Sequence, residues 1–253
     1  MKVLVTNKKR VILALCILIT ICAAAVGLIY CENTQTMKQA NGLPIYNVQT
    51  DKKQIAISFD AAWGNEDTQT LIDILAKYKI KATFFLVGSW VDHYPDSVKA
   101  LAAAGHSIQN HSNTHPHLTE LGIDEAKREI TLCNEKIQKI TGKSPTLLRP
   151  PYGDYNGDVV QMIDSLQMYP IQWSVDSLDW MEISAKEIIQ NVVPKIKSGD
   201  IVLFHNAAKH TPEALPEIIE SLQAQGYEFV LIEDLIYKDN YKIDVNGTQI
   251  REG

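Results

Sequence analysis

Between residues 54 and 232, short β-branched apolar runs alternate with longer segments whose apolar positions recur every three to four residues. The runs read as strands: QIAISF (54–59), ATFFLV (82–87), HSIQN (106–110), PTLLR (145–149), YPIQWSV (169–175), DIVLFH (200–205) and YEFVLI (227–232). The intervening segments 67–78, 95–104, 124–141, 156–166, 184–197 and 212–225 carry the period of helices that bury one face. Gly105, Gly142, Gly199 and Gly226 stand where helix C-terminal caps are expected. Seven strands alternating with helices predict an α/β protein with a parallel sheet, either a barrel or a doubly wound sheet.

One apolar run lies outside this alternation. VILALCILITICAAAVGLIY (11–30) carries no charge and follows Lys8, Lys9 and Arg10. Its length suits a transmembrane anchor with its basic end in the cytoplasm, and the competing reading is a signal peptide cleaved near Ala23-x-Ala25. Tyr30 before Cys31 is too large for a lipoprotein cleavage site. Either way, residues 32–253 are expected outside the cytoplasm, anchored to the membrane or secreted. The polar stretch 32–53 reads as a linker, 54–237 as the folded domain and 238–253 as a polar tail.

Composition narrows the partners. Hydrophobic residues make up 45% and charged residues 21%, which is ordinary for a globular domain. Without Lys2, Lys8, Lys9 and Arg10, the chain keeps 20 basic residues against 30 acidic ones, a net charge of about −10. Nucleic acid and anionic lipid surfaces are poor partners for such a domain, and a neutral or cationic extracellular polymer suits it better. No obligate protein partner is evident. Cys16, Cys22 and Cys31 belong to the N-terminal segment, leaving Cys133 on the apolar face Ile130, Cys133, Ile137, Ile140, where a buried structural thiol is expected.

The unusual polar residues share one address. Asp60 closes the first strand, His111 and His115 (NHSNTHPHL) follow the third, and Arg149 (RPPYG) follows the fourth. Asp176 and Asp179 (WSVDSLDW) follow the fifth, and His205 ends the sixth. Active sites of α/β barrels assemble at these C-terminal strand ends. His111-x3-His115 has a spacing at which two imidazoles can face one cation, with His117 as a competing ligand. Arg149 before two prolines would hold a guanidinium rigidly and could pair with Asp60. Tyr152 and Trp180 sit in loops as flat surfaces for a sugar ring, whereas Trp173, within a strand, reads equally well as core.

Taken in order, SFDAAWG, HSNTHPHL, RPPYG, WSVDSLDW and LFHN resemble the five motifs of the NodB-homology polysaccharide deacetylases, carbohydrate esterase family 4. The form of the first motif resembles the sporulation-associated, PdaB-like branch. The resemblance implies a single distorted (β/α) barrel that removes acetyl groups from an N-acetylated cell-wall glycan such as peptidoglycan. It implies Asp60 as general base, Arg149 orienting it, His205 as general acid and Asp179 orienting that. Tyr152, Trp180 and Leu203 would line the substrate, with the Tyr152 backbone N–H at the oxyanion. His111 and His115 would hold a divalent cation, with zinc the expected ion. Ala61 stands where the family has a second acid as third metal ligand. Asp60 or a water would have to replace that donor, or the metal would bind weakly or not at all. That departure keeps a second reading open, a non-catalytic glycan-binding protein on a deacetylase barrel, and a third, a barrel hydrolase of another amide or ester.

Overall fold

The computed structural model describes residues 42–252. The expected anchor or signal segment and residues 32–41 of the expected linker lie outside the described residues. In chain order the elements begin with β1 (Asn47–Val48), β2 (Gln54–Ala61), α1 (Thr68–Lys77), β3 (Thr83–Leu86), α2 (Gly88–His93), α3 (Pro95–Ala103) and β4 (Ser107–Asn110). Next come α4 (Ile123–Thr141), β5 (Leu147–Leu148), α5 (Gly157–Ser165), β6 (Tyr169–Pro170), β7 (Val175–Asp176) and α6 (Ala185–Val192). The chain closes with β8 (Ile201–His205), α7 (Thr211–Ala224), β9 (Glu228–Phe229), α8 (Ile232–Leu235), β10 (Tyr241–Ile243) and β11 (Thr248–Arg251).

Seven of the strands run parallel in the order β6-β5-β4-β3-β2-β8-β7 and curl into a half-barrel, with β9 added along β2. The architecture is the expected α/β barrel, and its period-two alternation explains the division of the core. On β2, Ile55, Ile57, Phe59 and Ala61 point outward into the apolar layer shared with the helices. Phe59 stacks there on Phe84 and Phe204, at centroid distances of 4.8 and 5.6 Å. Ala56, Ser58 and Asp60 take the inner face, as do Phe85 of β3 and Ile201, Leu203 and His205 of β8. Both faces of these strands are covered, which is why their sequences read as apolar runs with single polar interruptions.

The ends of the chain depart from the expected linker and tail. Ile45 and Val48 are fully buried, and the segment they belong to lies along the open seam of the half-barrel. Ile45 bridges Ile171 beyond β6, and Asn47 bridges Asp200 before β8. β1 then pairs with β11, which pairs with β10, so residues 241–251 form a small sheet on that seam. Tyr241, Ile243 and Gln249 are buried in it. Gly199 at this junction has φ +86°, and a Cβ there would stand 1.7 Å from the Val48 carbonyl oxygen, so only glycine fits.

Candidate active site

The C-terminal strand ends open onto a pocket of about 420 Å³. Asp60 forms its floor, held by Arg149. The guanidinium is completely buried, lies 4.2 Å over the Phe85 ring and gives one Nη to the Asp60 carboxylate at 2.7 Å. The other Nη donates to Ser58 Oγ at 2.9 Å and to the Gln172 carbonyl at 3.1 Å. Burial alone would raise the Asp60 carboxyl, but Arg149, His111 and His205 together outweigh it and hold the group below the usual carboxylate range. Asp60 therefore remains a fixed anion.

His205 faces it from β8, in register with Asp60 across the β2–β8 pairing. Its Nδ1–H donates to Asp179 Oδ1 at 2.7 Å and its backbone N–H to Asp179 Oδ2 at 2.9 Å. Thr211 Oγ1–H, at the start of α7, adds a third bond to Oδ2 at 2.7 Å. With Nδ1 committed, Nε2 is left for the pocket. Burial lowers the His205 pKa, but its hydrogen bond to Asp179 and the nearby carboxylates raise it further, so the net shift favours the protonated ring.

The two remaining imidazoles come from the loop after β4. His111 Nδ1–H donates to the Arg149 carbonyl at 2.7 Å, which turns Nε2 inward, 3.5 Å from Asp60 Oδ2. The His115 ring lies 4.9 Å from that of His111, centroid to centroid. Burial keeps both rings neutral, His115 with a pKa of about 4. The loop is tightly wound, with positive φ at Ser112 (66°) and His115 (64°). Its internal bonds run from Ser112 N–H to Asn110 Oδ1 and from His115 N–H to Ser112 Oγ. Glu129 of α4 accepts from Asn113 N–H, Thr114 N–H and Thr114 Oγ1–H. His117 turns to the rim, stacked on Tyr152 and 3.3 Å from Asp154, and is not part of the pocket.

Aromatic side chains frame the opening. Tyr152 (φ 60°), Trp180 and Trp63 are each more than half exposed, and Leu203 lines the wall. Trp173 is half-buried and does both things expected of it, lining the pocket and packing 5.6 Å from the Arg149 guanidinium. Gly153 meets it closely, since a Cβ at that glycine would lie 3.0 Å from the Trp173 ring. Sequence reasoning missed Trp63, Ser58, Thr211 and Glu129 as site residues. Ser58 was accessible through strand alternation, two positions before Asp60. Thr211 carries no local signal, because its partner Asp179 is 32 residues away, and Glu129 reads as an ordinary exposed position of its helix although its partners lie in the loop just before it. Cys133 donates to the Leu86 carbonyl inside the core, and burial pushes its thiol up to about 12, as suits a structural residue.

The donors do not fit a resident catalytic zinc, which takes three protein ligands. Among the described residues no group of three or more His, Cys, Asp or Glu side chains is placed to hold a metal ion. The two imidazoles converge, but Asp60 is committed to Arg149. Ala61 lacks a donor atom, and its side chain faces the outer apolar layer; the next pocket-lining residue, Ala62, follows the end of β2.

Comparison with known proteins places this geometry. A family model described as polysaccharide deacetylase matches residues 47–171. The peptidoglycan-N-acetylmuramic acid deacetylase PdaA of Bacillus subtilis is 33% identical over 81% of this chain and 82% of its own length. The similarly named PdaC of the same organism is 36% identical over 74% of this chain, which spans only 40% of PdaC. The solved structure of wild-type BA3943 from Bacillus anthracis, described as a CE4 family pseudoenzyme, superposes with a TM-score of 0.75 at 34% identity, covering 84% of this chain and 74% of that one. A mutant of BA3943 is described as having restored enzymatic activity.

Proposed function

Because this chain belongs to the polysaccharide deacetylase family, we propose that it hydrolyses the N-acetyl group of peptidoglycan or a related N-acetylated glycan. The observation that carries this reading is the pair of opposed, separately anchored groups in one pocket: an Asp60 anion locked by Arg149 and a His205 imidazole locked by Asp179, whose pKa its carboxylate neighbours raise. Amide hydrolysis needs both. Asp60 takes a proton from the attacking water, and His205 gives one to the departing amine, each such transfer typically contributing about 10² to 10⁴ in rate. Their different surroundings push the two groups toward opposite protonation states, which assigns base and acid without exchange of roles. The Tyr152 backbone N–H is the proposed oxyanion donor, and Leu203 the wall beside the acetyl methyl. No step is assigned to a metal.

The same proposal keeps the domain outside the cytoplasm, on the strength of the uncharged run 11–30 behind its basic end. Its PdaB-like, sporulation-associated character rests on the first motif, SFDAAWG. The test is release of acetate from chitooligosaccharides and from muropeptides, followed by mass. The natural chain should release it, and His205→Ala should reduce the rate by about 10² or more. Absence of acetyl loss from every glycan would overturn the catalytic reading.

A second reading has its own observations, the missing third donor at Ala61 and the likeness to a CE4 pseudoenzyme. In it the pocket binds N-acetylated glycan without cleaving it. Saturable glycan binding without acetyl loss would establish it.

A further inference from the structure

The polar groups that line the pocket include one that the proposed chemistry leaves unused. Asp176 ends β7, in register with Leu203, and its side chain lies on the pocket wall beside Trp173 and Trp180. Among the described residues it is the only pocket-lining carboxylate besides Asp60. The other nearby acids are committed: Asp60 to Arg149, and Asp179, behind His205, to three donors. Asp176 Oδ1 accepts from Leu178 N–H at 2.8 Å, and the Trp173 side chain interacts with the same carboxylate. Leu178 is held at φ 57°, so the turn that aims this carboxylate is wound tightly. Burial raises the Asp176 carboxyl above its ordinary value, the mark of an anion with less solvation than it would have in water.

A partly desolvated carboxylate that takes donors from Leu178 N–H and Trp173 still has lone pairs left to accept, and sugar hydroxyls can fill them. The geometry points to Asp176 as the residue that fixes the sugar ring, by accepting a hydrogen bond from a ring hydroxyl of the N-acetylated unit whose acetyl group lies between Asp60 and His205. This assignment rests on the glycan reading above and holds for either form of it, catalytic or binding. It makes Asp176 a specificity-determining residue, since a partly desolvated acceptor left without its hydroxyl penalises any ligand that lacks one.

The experiment is a calorimetric titration of the full chain and of Asp176→Asn with an N-acetylglucosamine tetramer, and with 3-deoxy and 6-deoxy analogues of it. Asp176→Ser provides a second variant should the first fail to fold, with near-ultraviolet circular dichroism as the check. The natural chain should bind one deoxy analogue about 10- to 100-fold more weakly than the tetramer. Asp176→Asn should bind the tetramer about equally weakly and show no further loss with that analogue, because both changes delete the same bond. Equal tetramer affinity in the natural chain and the variant would overturn the role of Asp176 alone. Independent, additive losses would overturn it as well. Failure of the natural chain to bind any glycan would overturn the glycan reading and this assignment together.

Discussion

At the scale of single residues, the Arg149–Asp60 pair sets the terms for everything else in the pocket. Both partners are buried, the guanidinium completely, and among the described residues its Nε has no hydrogen-bond partner. A buried pair of this kind contributes little net stability, yet removing one member leaves an uncompensated charge. Arg149→Met is therefore expected to destabilise the fold by about 3–5 kcal/mol, read by urea denaturation, whereas adding Asp60→Leu should recover most of that loss. Additive effects of the two changes would show that the residues are not coupled. The pair's cost suggests a purpose beyond stability, in keeping with an anion held for chemistry. Of the polar residues singled out from the sequence, Asp60, His111, His115, Asp176 and His205 line one pocket, Arg149 and Asp179 stand behind Asp60 and His205, and His117 stacks on Tyr152 at the rim. Topology made that legible, because strand ends of a parallel sheet share one side. The metal expectation fared differently. Residue types revealed two imidazoles, but only the strand's alternation shows that position 61 faces away from them.

At the scale of elements, the histidine loop depends on the helix that follows it, α4, which folds back against it. Glu129 reaches from α4 and takes three donors of residues 113–114, two of them backbone groups with no alternative partner in the loop. Glu129→Ala should cost about 1–3 kcal/mol in denaturant unfolding and broaden the ring resonances of His115 in NMR spectra; sharp, unshifted resonances would refute the clamp. The helices of strong period were legible to within a residue or two, as α3 and α4 show. Gly142 caps α4 at φ +73°, as expected from its place after the apolar stripe. α2 was missed because its six residues are too few to display a period, and it abuts α3 at Tyr94. The run 169–175 is not one strand but two: Ile171 leaves β6 to meet Ile45, and Trp173 turns toward the pocket before β7 begins. The run 227–232 likewise yields β9 and then the start of α8, where Ile232 N–H bonds to Thr83 Oγ1. Apolar content alone does not separate a strand from a buried turn.

At the scale of the molecule, the half-barrel is completed by the chain's own flanks. Ile45 sits wholly buried in the seam, with its N–H bonded to the Pro170 carbonyl and its carbonyl accepting from Gln172 N–H, both within 3 Å. Ile45→Ala should lower stability by about 2–5 kcal/mol, a core-sized loss from what reads in sequence as linker. A change of a few tenths measured by denaturation would mean that the seam is only loosely filled. The polarity that marked 32–53 and 238–253 as peripheral is real on average. Burial there rests on single residues, Ile45, Val48, Tyr241 and Ile243, too widely spaced to stand out.

That seam also imposes an order of assembly. Residues near 45 leave the ribosome long before their partners near 171, 200 and 248. Closure of the barrel must therefore wait for almost the whole chain, and its first-made strand is among the last to find its place. Contacts of such long separation make folding slow. Until they form, the edges of the sheet at β6 and β7 stay open to other strands, so the stretch of chain just ahead of the barrel acts as its own late-arriving guard against aggregation.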